Sequence, residues 1–164
     1  MITLRMTQSL LKDMKAKPDE QAADGLYSWH ANIIKLNNRK QILLVNDETL
    51  LCLFLEGIRA GQLDKLQSAF VQTLREYLLQ QKLEERAVSL YLEEATTFSI
   101  AKTNSRSVIG TMTEISFFQR DDFAHPLDRI GYHNRIIRKP LNYDRPIEAF
   151  QKALWLNMKA RAGG

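Results

Sequence analysis

The sequence predicts an α+β fold on three observations. Short segments alternate apolar and polar residues at period two, a long segment repeats them at three and four, and the length suits one core. At 164 residues, with 45% hydrophobic and 26% charged side chains, the chain carries enough apolar surface to offset the entropy of ordering. We expect a mostly antiparallel sheet built around a β-meander, packed by helices, with a basic C-terminal segment that ends in a helix.

Ile2 to Met6 alternates like a short strand, and Thr7 is placed to cap a helix over Gln8 to Lys15, whose Leu10, Leu11 and Met14 share a face. Pro18 ends that helix, and Ala16 to Gly25 reads as an exposed loop. The meander follows: Leu26 to Leu36, a turn at Asn37 to Lys40, Gln41 to Asp47, and Leu50 to Glu56. Asparagine suits such a turn because it tolerates positive φ. With a turn of two or four residues, Ser28, His30, Asn32 and Ile34 share a sheet face with Leu43, Val45 and Asp47. Tyr27, Trp29 and Ile33 share the other with Ile42 and Leu44. Both faces are substantially apolar, so the sheet should be covered on both sides.

From Gln62, the residues Leu63, Leu66, Phe70, Leu74, Tyr77 and Leu78 mark an amphipathic helix about five turns long. A second helix is predicted over Leu83 to Glu94, a strand over Thr96 to Lys102, and a helix capped by Ser107 running to Phe118. Asp121 to Tyr143 shows no period and reads as an irregular basic wrap. Pro146 opens a last helix over 146–158 whose Ile147, Phe150, Leu154 and Met158 form an apolar stripe, which implies docking. The expected organisation is an α+β domain over 1–119 and a docked basic extension over 120–164.

Charge is distributed unevenly. Residues 1–119 hold fourteen basic and fourteen acidic side chains, whereas residues 120–164 hold nine basic and five acidic, which is the whole net charge of +4. An excess so placed is the footprint of a polyanion partner or of an ordinary solvated surface. Arg135, Arg138, Lys139 and Arg145 are the candidate contacts in this segment, and Arg106, in a loop before a helix N-terminus, is a further candidate anion contact.

Cys52 is the only cysteine, so no intramolecular disulfide forms, and its apolar neighbours suit a packed thiol. The N-terminal residues lack a signal-peptide layout, and no stretch reaches the about eighteen apolar residues of a membrane span. The expectation is a cytoplasmic protein with no membrane partner. Phosphate-loop, dinucleotide, H-E-x-x-H, zinc-pair and G-x-S-x-G motifs are all missing, and His30, His125 and His133 have no metal-helix spacing. No cofactor and no metal are expected.

The polar residues that stand out are His30, Asn32 and Asp47, because a histidine near a carboxylate is the minimal pair for proton transfer. The same residues also suit a structural role, His30 and Asn32 satisfying buried backbone or loop groups and Asp47 the turn at Asn46-Asp47-Glu48, and this reading is the favoured one. Three stretches also resemble, in order, the hallmark segments of an uncharacterised bacterial domain-of-unknown-function family. They are Leu26-Tyr27-Ser28-Trp29-His30-Ala31-Asn32, Asn46-Asp47-Glu48-Thr49, and Lys102 to Gly110, which contains Thr103-Asn104-Ser105-Arg106-Ser107. The segment from Ile136 to Tyr143, with Pro146, Ile147 and Phe150, is similar to tails in that family and in a plasmid open-reading-frame family associated with mobile elements. The resemblance implies a bacterial cytoplasmic setting tied to mobile-element or defence biology, and it names no activity, cofactor or catalytic residue. Two functional classes follow: a non-enzymatic module binding DNA, RNA or a protein partner, or a hydrolase or nuclease using His30, Asp47 and Arg106.

Overall fold

The computed structural model describes residues 1–163. Five strands form one sheet in the order β4-β3-β2-β1-β5: β1 (Ile2–Met6), β2 (Ser28–Leu36), β3 (Arg39–Asn46), β4 (Cys52–Glu56) and β5 (Phe98–Lys102). The β2-β3-β4 meander is antiparallel as expected, but β1 runs parallel to both of its neighbours, so the sheet is mixed rather than mostly antiparallel. The reason is topological. Parallel neighbours need long crossovers, which residues 7–27 and 57–97 supply, and alternation within a strand carries no record of its partner's direction.

The hairpin between β2 and β3 turns through Asn37 and Asn38, both at positive φ (51° and 65°). Two such residues make the two-residue turn whose twist matches the flanking strands. The register pairs His30 with Val45 and Asn32 with Leu43, which puts the strand residues of the two predicted sets on the predicted faces, while Tyr27 and Asp47 lie just outside β2 and β3.

Six helices cover this sheet: α1 (Gln8–Met14), α2 (Leu63–Gln80), α3 (Glu85–Glu93), α4 (Arg106–Ser116), α5 (Pro126–Asn134) and α6 (Pro146–Ala162). On one face Trp29 meets Phe70 of α2 edge-on at 5.1 Å and Phe150 of α6 at 6.1 Å. Its indole N–H donates to the Tyr91 hydroxyl of α3, which donates in turn to the Leu26 carbonyl. On the other face α4 packs across β2 and β3, while Phe54 of β4 meets His133 of α5. Ile130, Phe150 and Leu154 belong to the same buried cluster as Trp29 and Phe70, with Ile147 and Met158 packed against it.

Two departures from expectation concern α4 and the segment after it. Ser105, not Ser107, caps α4 by accepting from the Val108 N–H at 3.2 Å. Residues 121–143 are not irregular throughout, since α5 lies inside them. Its start is a capping box in which His125 accepts from Leu127 N–H and Asp128 accepts from His125 N–H, with Pro126 in the first turn. α5 also shields the sheet edge. The Asn134 amide accepts from Cys52 N–H at 2.8 Å and donates to Cys52 C=O at 3.0 Å, so this part of edge strand β4 is paired.

Candidate functional site

The polar centre of the molecule lies on the face that bears His30. Thr3 and Arg5 of β1 stand level with Ser28 and His30 of β2, and Thr3 stands level with Ser99 of β5. All five side chains are buried, which places a row of polar groups across the middle strands.

Asp47 organises the row. One carboxylate oxygen lies 2.6 Å from His30 Nδ1, and the other accepts from the Ser28 hydroxyl at 2.7 Å. Arg5 donates through Nε to Ser28 Oγ at 3.0 Å, reaches Asp24 at 3.3 Å, and lies 3.7 Å from Asp47. Its remaining N–H groups donate to the carbonyls of Lys102 and Ala23. His30 is completely buried, and its Nε2 accepts from the backbone N–H of Asn104 at 3.1 Å. A backbone N–H only donates, so the ring proton sits on Nδ1 and points to Asp47. Both ring nitrogens are thereby engaged.

Serine, histidine and aspartate are the residue types of a hydrolytic triad, but their order here is different. In a triad the histidine stands between the other two and takes the serine proton. Here the carboxylate stands in the middle, Ser28 donates to it, and the far nitrogen of His30 is bound to backbone.

The three stretches singled out in the sequence converge at this point. Ser28 and His30 come from the first, Asp47 from the second and Asn104 from the third. Asn46 secures the second stretch: its amide donates to the Leu26 carbonyl at 2.9 Å, and its oxygen accepts from the N–H groups of Glu48 and Thr49 and from the Thr49 hydroxyl. Asn32 takes no part in the cluster; it accepts from Thr7 and Ser9 where β1 passes into α1. Arg106 is exposed in the first turn of α4, next to the Ser105 cap. Arg5 and Asn104 were missed in the sequence. A lone cation inside the apolar run Ile2–Met6 was the available signal for Arg5; for Asn104 the signal was its place in the third stretch, since a backbone contact leaves no mark in residue type.

The C-terminal cations are dispersed and mostly paired. Among the described residues, Arg120 pairs with Asp122, Arg138 with Glu114, Arg145 with Glu148, Lys152 with Asp144, and Arg161 with Glu93 and Glu94. Arg138 is buried, which removes it from the outer surface, while Arg135, Lys139 and Arg145 are exposed. Arg138 N–H donates to the Asp144 carbonyl and Tyr143 N–H to the Arg138 carbonyl, closing a tight loop in which Asn142 and Tyr143 both take positive φ. This loop holds Tyr143 60% exposed. The Lys152–Asp144 pair joins it to the outer side of α6, where Trp155 and Leu156 are 48% and 62% exposed and Lys159 Nζ lies 3.8 Å from the centre of the Trp155 ring.

No group of three or more His, Cys, Asp or Glu among the described residues is placed to hold a metal ion, and no helix among them is long and apolar enough to cross a membrane. Burial pushes the Cys52 thiol up to about 12, so it stays protonated and packs as a small apolar group. A family described as a domain of unknown function, DUF6933, matches residues 3–149, and the chain belongs to that family. No curated protein and no solved structure matches it. Its function is therefore unassigned by kinship.

Proposed function

We propose that the protein is a non-enzymatic binding module, that the His30 cluster is its internal latch, and that the C-terminal surface makes the contact. The observation that carries this reading is the joint exposure of Tyr143, Trp155 and Leu156 with Lys139, Arg145, Lys152 and Lys159 on loop 138–145 and outer α6, which the Lys152–Asp144 pair ties together. Aromatic faces for stacking, interleaved with cations for phosphates, are what an unpaired nucleic-acid strand requires. Arg145 and Lys152 are held only by surface ion pairs, each worth about 0–1 kcal/mol, so a phosphate displaces their carboxylates at small cost.

The sealed His30, with no free nitrogen, weighs against the hydrolase or nuclease alternative through His30, Asp47 and Arg106. A protein partner is the second reading, supported by the internal pairing of five tail cations and by the apolar ridge of Trp155 and Leu156. A bacterial cytoplasmic setting and a role alongside mobile elements remain part of the proposal, on the resemblance of the tail.

Fluorescence titration with labelled single-stranded DNA and RNA at low and near-physiological salt separates these readings. The expected result is binding at low salt that falls steeply as salt rises, because phosphate contacts release counterions. Neutralising Lys139, Arg145 and Lys152 flattens that slope, and Tyr143→Ala or Trp155→Ala costs about 1–3 kcal/mol. No binding at low salt overturns the nucleic-acid reading. Hydrolysis of either strand that disappears in His30→Ala, with the fold retained, overturns the non-enzymatic one.

A further inference from the structure

The start of β3, the end of β4, the loop before α5 and the first turn of α5 enclose an open cleft of about 350 Å³. Its walls include two cations, Arg39 and Arg129, and two carboxylates, Glu56 and Asp121. Two polar atoms in these walls are buried without any partner: Gln41 Oε1 and Arg129 Nη1.

Gln41 is only 6% exposed, and its amide nitrogen already donates to Glu56 Oε1 at 2.7 Å. Turning the amide over would set two acceptors against each other, so Oε1 must face away from Glu56. Arg129 forms no ion pair among the described residues, and its guanidinium rests 5.1 Å from the Phe123 ring centre and 5.9 Å from that of Phe54. An unpaired buried donor or acceptor costs about 1–3 kcal/mol, and a cleft that holds one of each beside charges of both signs is matched by a ligand offering the complement.

We propose that this cleft binds a small zwitterion of the α-amino-acid type, with its carboxylate on Arg129 and its ammonium on Gln41 Oε1 and Glu56. Both orphan atoms are closed off as the side chains stand, so binding entails a rotamer shift that exchanges an unpaired atom for a bonded one. A simple anion satisfies only Arg129, and a simple amine only Gln41 and Glu56. The zwitterion is therefore selected over either half.

The test is a titration of the ¹⁵N-labelled full chain, followed by amide chemical shifts, with a panel of L-α-amino acids and with acetate and methylammonium as half-ligands. The expected result is saturable shifts at Gln41, Glu56 and Arg129 with at least one amino acid, and at least about tenfold weaker binding of each half-ligand. Gln41→Leu and Arg129→Gln each weaken binding about tenfold; Gln41→Leu removes an orphan acceptor, so it keeps the fold if Arg129→Gln does not. Absence of saturable shifts across the panel overturns the proposal. So does acetate binding as tightly as the amino acid, or unaltered binding by the folded variants.

Discussion

His30 is buried on β2 directly beside its register partner Arg5 of β1, and its two nitrogens tie β2 to the Asp47 turn and to the loop that launches α4. Replacing it by alanine strands the Asn104 N–H, removes a partner from Asp47 and leaves a ring-sized gap, a loss of about 3 kcal/mol or more. Thermal or urea unfolding of His30→Ala checks this, and unchanged stability contradicts the latch. His133 behaves differently. Both its nitrogens are buried without partners, and burial, reinforced by Arg138 and Arg129, pulls its pKa from 6.5 down to about 4. The unfolded chain thus binds the proton more readily. Stability from this residue is full above about pH 6.5 and is lost as pH falls through about 4. His133→Phe, among the rings of Phe54, Phe118 and Tyr132, should reduce that acid loss, so its stability gain at pH 5 exceeds that at pH 7.5. A gain independent of pH counts against the assignment. At this scale the His30 and Asp47 neighbourhood was legible, because period two fixes which side chains share a face. The contacts from Arg5 and Asn104 were not, because they cross between strands whose pairing the local pattern does not encode.

Elements were legible where apolar spacing is strong and obscure where capping alone marks them. The long spacing from Leu63 to Leu78 and the stripe of Phe150 and Leu154 gave α2 and α6 directly. α5 has only Leu127 and Ile130 as apolar markers over its length, yet Pro126 and Asp128 after His125 write its start in capping chemistry. The direction of β1 was illegible for another reason: only the crossovers determine it. α5 matters to the sheet because Asn134 pairs both backbone groups of Cys52. Asn134→Ala leaves those groups unpaired and buried, so we expect a loss of about 2 kcal/mol or more. Amide exchange at Cys52 should accelerate more than at β1. Equal protection at Cys52 in the variant would show that the side chain does not clip the edge.

For the whole molecule, a neutral set of residues 1–119 carries a segment with nine cations and five carboxylates, and the two share one core through Ile130, Phe150 and Leu154. On the proposed reading, the outer side of this segment is the contact surface. The tail's charge was legible from composition. Which cations remain outward was not, since Arg138 turns inward to Glu114 and Arg145 pairs along α6. The most direct test is a chemical-shift map of the ¹⁵N-labelled protein titrated with a short single-stranded oligonucleotide at low salt. Shifts should concentrate at Lys139, Tyr143, Arg145, Lys152, Trp155 and Lys159, while the amides of His30, Asp47 and Asn104 stay unmoved. Shifts centred on His30, Asp47 and Arg106, with residues 139–159 silent, would contradict the proposed reading.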